Sequence, residues 1–105
     1  MGEKTYTRDL GEGARKRHYH RTEKGKVIYF VVQLEVELEG KWEPVIRYDC
    51  SHSFVHIDRY NNKGEKIKEN IYLTYEEEES LTLADEDINI NWEFYKEKFL
   101  KGAYP

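Results

Sequence analysis

All four histidines of the chain fall in two short clusters. RHYHR, 17 to 21, holds His18 and His20. RYDCSHSFVHID, 47 to 58, holds His52 and His56 together with Arg47, Asp49, Asp58 and the single cysteine, Cys50. Imidazole titrates near neutral pH, so paired histidines suit proton transfer. Metal-free cleavage of a phosphodiester needs a base for the ribose 2′-hydroxyl, an acid for the leaving oxygen and a cation for the phosphate. His20 and His56 would be the proton-transfer pair. Arg47 would clamp the phosphate through its planar fork. Asp49 or Asp58 would orient an imidazole, with His18 and His52 in support.

Two other readings use the same residues. His-x-His with a distant histidine and a carboxylate is an acceptable ligand set for a divalent transition metal. The spacing lacks the Cys-x-x-Cys pairs and the His-Glu-x-x-His helix of the strong zinc patterns. The third reading is bland: strand histidines bond to their neighbours, and Arg47 and Asp49 form a same-face ion pair of little worth. Cys50 reads as a buried structural thiol rather than a nucleophile, since nothing near it would lower its pKa.

Period-two spacing places these side chains. His18 and His20 share a strand face and stand about 7 Å apart. The same holds for Phe54, His56, Asp58 and Tyr60, and for Arg47 with Asp49. One active site requires that the three sets converge on one face of a sheet. The elements that would carry them follow from alternation. VIYFVVQLEVELE alternates from Phe30, with Phe30, Val32, Leu34, Val36 and Leu38 one way and Gln33, Glu35 and Glu37 the other. That pattern predicts a half-buried antiparallel strand. RHYHRT, WEPVIRYD, FVHIDRY and EKIKENIYL read as four more strands. Trp42, Pro44, Ile46 and Tyr48 would share a face, and Pro44 suggests an edge or bulge. EKGK, Glu39-Gly40-Lys41 and NNKG read as turns, and CSHS as a short connection. Residues 1–16 lack periodicity and read as a flexible arm before a single domain over 17–105.

The period then changes. Thr74 and Glu77 fit a capping box, and Leu81, Ala84, Ile88, Trp92, Tyr95 and Phe99 form one helical stripe. The spacing predicts a helix over about 75–101, ended by Gly102. Leu83, Ile90 and Phe94 form a second stripe turned away from the first, a candidate contact for a homodimer or another protein partner. The expected fold is α+β: an antiparallel meander of about five strands with one long C-terminal helix packed on it.

The net charge of −4 makes the chain a poor generic nucleic-acid binder. That total hides a dipole. Residues 1–26 carry eight basic and four acidic side chains, and residues 74–93 carry eight acidic and no basic ones. Both runs read as solvated faces, although a basic arm could hold phosphates. No apolar run has the roughly 18 residues of a membrane span. With a polar N-terminus and a lone cysteine, a cytoplasmic location is the expectation. Abundant Glu, Lys and Tyr beside a single Gln lean toward a thermophilic source.

Trp42-x-Pro44-Val45-x-Arg47-Tyr48-Asp49, followed by His52, His56 and Asp58, resembles a group of small archaeal and bacterial proteins. Their upstream His-x-His and their Asn-Trp-x-x-Tyr-x-x-x-Phe-Leu ending correspond here to 18–20 and 91–100. The segment is more loosely similar to TumE-like toxins of toxin–antitoxin modules. It departs from them at Cys50-Ser51-His52-Ser53 and at Asp58, where those toxins carry a second late histidine. The resemblance implies a small sheet-plus-helix protein, with RNA as substrate and an antitoxin-like protein as partner.

Overall fold

The structure is a computed structural model that describes residues 2–51, 54–72 and 76–105. Six strands form one antiparallel meander in chain order: β1 Gly2–Gly11, β2 Ala14–Glu23, β3 Lys26–Leu38, β4 Lys41–Ser51, β5 Phe54–Tyr60 and β6 Lys66–Tyr72. One helix, α1 Glu77–Leu100, follows. The α+β class is as the periodicity predicts, with one strand more than expected. That strand is β1, within the segment read as a loose arm. It pairs with β2 from Gly2↔Thr22 to Gly11↔Ala14, and residues 14–16 already belong to β2.

Three X-Gly pairs close the first three hairpins: Glu12-Gly13, Lys24-Gly25 and Glu39-Gly40. In each, both residues have positive φ, the backbone whose twist matches that of paired strands. Glycine makes the second of these positions cheap.

The face of the sheet that carries Phe30, Val32, Leu34 and Val36 is buried under α1. The helix lies over β3 and touches β4 and β2. It sets Leu81, Ala84, Ile88 and Phe99 into the core, with Trp92 and Tyr95 packed against its margin. Each large apolar side chain so buried stabilises the fold by about 1.5–3 kcal/mol. Leu83, Ile90 and Phe94 stay outside, 51%, 77% and 55% exposed, so both helical stripes are where their spacing puts them.

Two local expectations change. The helix begins at Glu77, with Glu76 at the N-cap position and no side-chain cap. Thr74 itself lies outside the described residues. Its C-terminus closes as predicted at Gly102 (φ 85°): Gly102 N–H donates to the Phe99 carbonyl and Ala103 N–H to the Lys98 carbonyl. In β4, Glu35 faces Pro44 while Leu34 faces Ile46, so Val45 is an extra residue. This β-bulge splits the set Trp42, Pro44, Ile46 and Tyr48. Ile46 and Tyr48 stay with the core rows, whereas Trp42 and Pro44 align with Glu37 and Glu35 on the other face.

Candidate functional site

Register decides which polar groups meet. His20 lies in the row Phe30, Cys50, Val55, and His18 in the row Val32, Tyr48, Ile57. Both imidazoles therefore belong to the helix-covered face. Arg47 lies in the row Arg17, Gln33, Asp58, and Asp49 in the row Tyr19, Val31, His56. Those four predicted residues, Arg47, Asp49, His56 and Asp58, share the opposite, open face. The expected convergence of His20, His56 and Arg47 does not occur, because alternation sets neighbouring rows on opposite sides of one sheet. His52 lies outside the described residues.

On the covered face a polar chain runs from the helix to the sheet margin. Lys16 is 1% exposed and His18 5%. Asp85 Oδ1 receives both: Lys16 Nζ at 3.1 Å and His18 Nδ1 at 3.1 Å. Lys16 Nζ also donates to Asn89 Oδ1 at 3.0 Å. His18 Nε2 lies 2.7 Å from His20 Nδ1. The Tyr6 ring stacks on His18 with centroids 4.5 Å apart.

The ionised carboxylate fixes the direction of this chain. A neutral imidazole has one N–H and one lone pair. His18 Nδ1–H donates to Asp85, so its Nε2 accepts from His20 Nδ1–H. His20 Nε2 then carries a lone pair at the half-buried end of the chain. The pKa of His20 lies below its ordinary value. Burial is the main cause, and the neighbouring His18 and the Lys4 ammonium add to it. A neutral, oriented imidazole whose proton can be passed inward toward a carboxylate is the arrangement of a general base. Lys4, cross-strand from His20, supplies an adjacent exposed cation.

A second half-buried carboxylate, Asp87, is also on the helix. Asp87 accepts from the Tyr48 hydroxyl, from the Tyr95 hydroxyl at 2.8 Å and from Asn91 Nδ2 at 2.8 Å. Burial, reinforced by this carboxylate, raises Tyr48 far above the usual phenol range and pushes Tyr95 up to about 12. Both are neutral donors; the Tyr48 bond ties β4 to α1, and the Tyr95 bond stays within the helix. Cys50 is fully buried, and its thiol is pushed up to about 11, mainly by burial, with Glu77 and Asp49 adding to it. It is an inert packing residue.

The open face is more loosely tied. Arg47 reaches Asp49 at 3.4 Å, the same-strand ion pair that spacing suggests. His56 Nδ1 pairs with Asn70 Oδ1 at 2.6 Å, so neither Asp49 nor Asp58 is hydrogen-bonded to its ring. Asp58 is 8% exposed; its Oδ1 is buried without a hydrogen-bond partner and its Oδ2 lies 3.9 Å from Lys66 Nζ. Among the described residues, no three His, Cys, Asp or Glu side chains are grouped to hold a metal ion. His18 and His20 spend their facing nitrogens on each other.

The sequence reading missed Lys16, Asp85, Asn89 and Tyr6. Lys16 shares strand parity with His18 and His20. Asp85 and Asn89 are four apart on a helix, beside the stripe residues Ala84 and Ile88. The partnership itself carries no local signal, because 67 residues separate His18 from Asp85.

No helix among the described residues is long and apolar enough to cross a membrane. Comparison with curated proteins and with solved structures finds no match to this chain. A family model described as a domain of unknown function, DUF7718, matches residues 1–104, so the chain belongs to that family.

Proposed function

We propose that this protein is a metal-free ribonuclease of toxin-like character in which His20 is the general base. The observation that carries the proposal is the chain Asp85–His18–His20, which orients one imidazole lone pair outward at the margin of the helix–sheet seam. In the reaction, His20 Nε2 takes the proton of a ribose 2′-hydroxyl, and the 2′-oxygen attacks phosphorus. The bond to the 5′-oxygen breaks, and the imidazolium returns the proton to that oxygen. A cyclic phosphate is left on the first strand. His18 and Asp85 are positioning residues that stabilise the imidazolium. Lys4 offsets the phosphate charge. Loss of a general base typically costs 10²–10⁴-fold in rate.

Purified protein incubated with RNA and chelator tests this reading. Cleavage that ends in 2′,3′-cyclic phosphate, is lost in His20→Asn and persists in His56→Ala is the expected result. Cleavage that depends on His56 and not on His20 would move the chemistry to the open face. Intact RNA under all conditions would remove the nuclease reading and leave the buried chain as a structural lock.

The partner half of the proposal rests on the exposed stripe Leu83, Ile90 and Phe94. It would serve a homodimer or an antitoxin-like protein. Leu83→Glu with Phe94→Glu should halve the mass seen by light scattering; an unchanged mass removes the homodimer.

A further inference from the structure

The open face of the sheet contains a cavity that the His20 chemistry does not use. Its volume is about 190 Å³, and Thr5, Arg17, His18, Tyr19, Val31, Gln33 and Arg47 line it. Arg17, Gln33 and Arg47 sit side by side on β2, β3 and β4. With adjacent strands about 4.8 Å apart, the two arginine backbones are about 10 Å apart. That span lets two long side chains close on one small anion above Gln33. A water's share of liquid volume is about 30 Å³, so the cavity admits a tetrahedral oxyanion with part of its hydration shell.

The ion pairs around the cavity leave its cations under-used. Glu35 is 5% exposed and already engaged by Arg15 Nε at 2.6 Å and Gln33 Nε2 at 2.6 Å. Arg17 only approaches it, at 3.7 Å. Arg47 meets Asp49 at 3.4 Å through one nitrogen. A guanidinium has five N–H donors, so both arginines retain several. Arg15 is held differently, by Glu35 and against the Trp42 ring at 4.1 Å. Among the described residues Asp58, cross-strand from Arg47, and Asp9, cross-strand from Arg15, form no ion pair with an arginine. Thr5 adds a hydroxyl donor at the wall. Neutral ligands would not need two arginines, and a single carboxylate would use one fork.

We infer that the cavity between Arg17 and Arg47 is a binding site for a phosphate group, carried by a nucleotide or by a nucleic-acid backbone. The site is centred on the face opposite His20, although His18 also lines the cavity.

Amide and arginine-Nε NMR titration of the intact chain tests it with three probes: inorganic phosphate, adenosine monophosphate and an oligodeoxythymidylate. The last lacks 2′-hydroxyls, so binding is read without cleavage. Shifts should centre on Thr5, Arg17, Gln33 and Arg47. Arg17→Gln and Arg47→Gln should each weaken binding by roughly tenfold or more, the loss of a charge-assisted contact. Lys98→Gln, on the helix, should bind as the parent does. Circular dichroism of both arginine variants checks that the fold is kept. Tighter binding of the oligonucleotide than of phosphate assigns a nucleic-acid backbone; tighter binding of the mononucleotide assigns a nucleotide. Either supports the site. Absence of shifts at these residues with all three probes, or shifts unchanged in both arginine variants, overturns it. Neither outcome bears on His20, whose failure would show only in the RNA-cleavage assay.

Discussion

The two faces of this sheet hold similar side chains under different conditions. On the covered face, Lys16 and His18 are held beneath α1 by Asp85 of that helix. On the open face, Arg47, Asp49 and His56 meet water. In the ion pair Lys16–Asp85 the side chains are 2% and 20% exposed, whereas Arg47 and Asp49 are 36% and 27% exposed. Burial changes what such groups do. A covered charge must have a partner, because leaving it alone costs several kcal/mol. An exposed pair is screened and contributes little. The covered face has therefore become an ordered chain of fixed direction, while the open face retains donors free to meet a ligand.

This contrast predicts a graded set of outcomes. The largest is at Asp85. Asp85→Ala removes the buried Lys16's only counter-charge among the described residues, leaving it the Asn89 amide oxygen, and strips the partner from His18 Nδ1; it should cost about 3–5 kcal/mol in urea unfolding. Asp49→Ala on the open face should cost under about 1 kcal/mol. Equal losses at the two sites would erase the distinction between the faces. Next comes Tyr95→Phe, which removes one donor from Asp87 and should cost about 1 kcal/mol. Tyr19→Phe, on the open side, should stay within about 0.5 kcal/mol.

The smallest effect is in pH dependence. The folded chain resists protonating His20, mainly through burial, while the unfolded chain takes up that proton near the ordinary value of 6.5. The unfolded state thus binds more protons below that pH. The stabilising contribution is whole above about 6.5 and declines as pH falls toward the folded pKa. His20→Asn should flatten the acid side of the unfolding midpoint between about pH 7 and pH 5. A slope unchanged in this variant would mean that His20 is as free in the fold as outside it.

The charge dipole shows how a correct count can be misread. The basic N-terminal run and the acidic helix were both expected to be solvated faces. Part of each instead meets the other, as Lys16 and His18 on β2 reach Asp85 on α1. Arg15 of the basic run instead pairs with Glu35 on β3, outside the acidic run. The overlooked strand β1 has a comparable origin. Its residues are mostly polar and exposed, so hydrophobic alternation is silent there. Glu12-Gly13 was its one local mark, the same X-Gly device that ends the next two hairpins.

The sequence by itself determined the elements and their faces wherever one side is apolar. The alternation from Phe30 to Leu38 set the central strand. The three-and-four spacing from Leu81 to Phe99 set the helix and its buried stripe. Gly102 set its end. Leu83, Ile90 and Phe94 were left outside as their spacing requires. These follow from local periodicity, because a strand repeats every two residues and a helix every 3.6. What only the tertiary structure decided was which polar sets share a face. That depends on strand registry and on the extra residue Val45, and a one-residue shift reverses every side chain beyond it. Likewise, only the docking of α1 on β2 and β3 converts two unremarkable histidines into a chain that ends at Asp85.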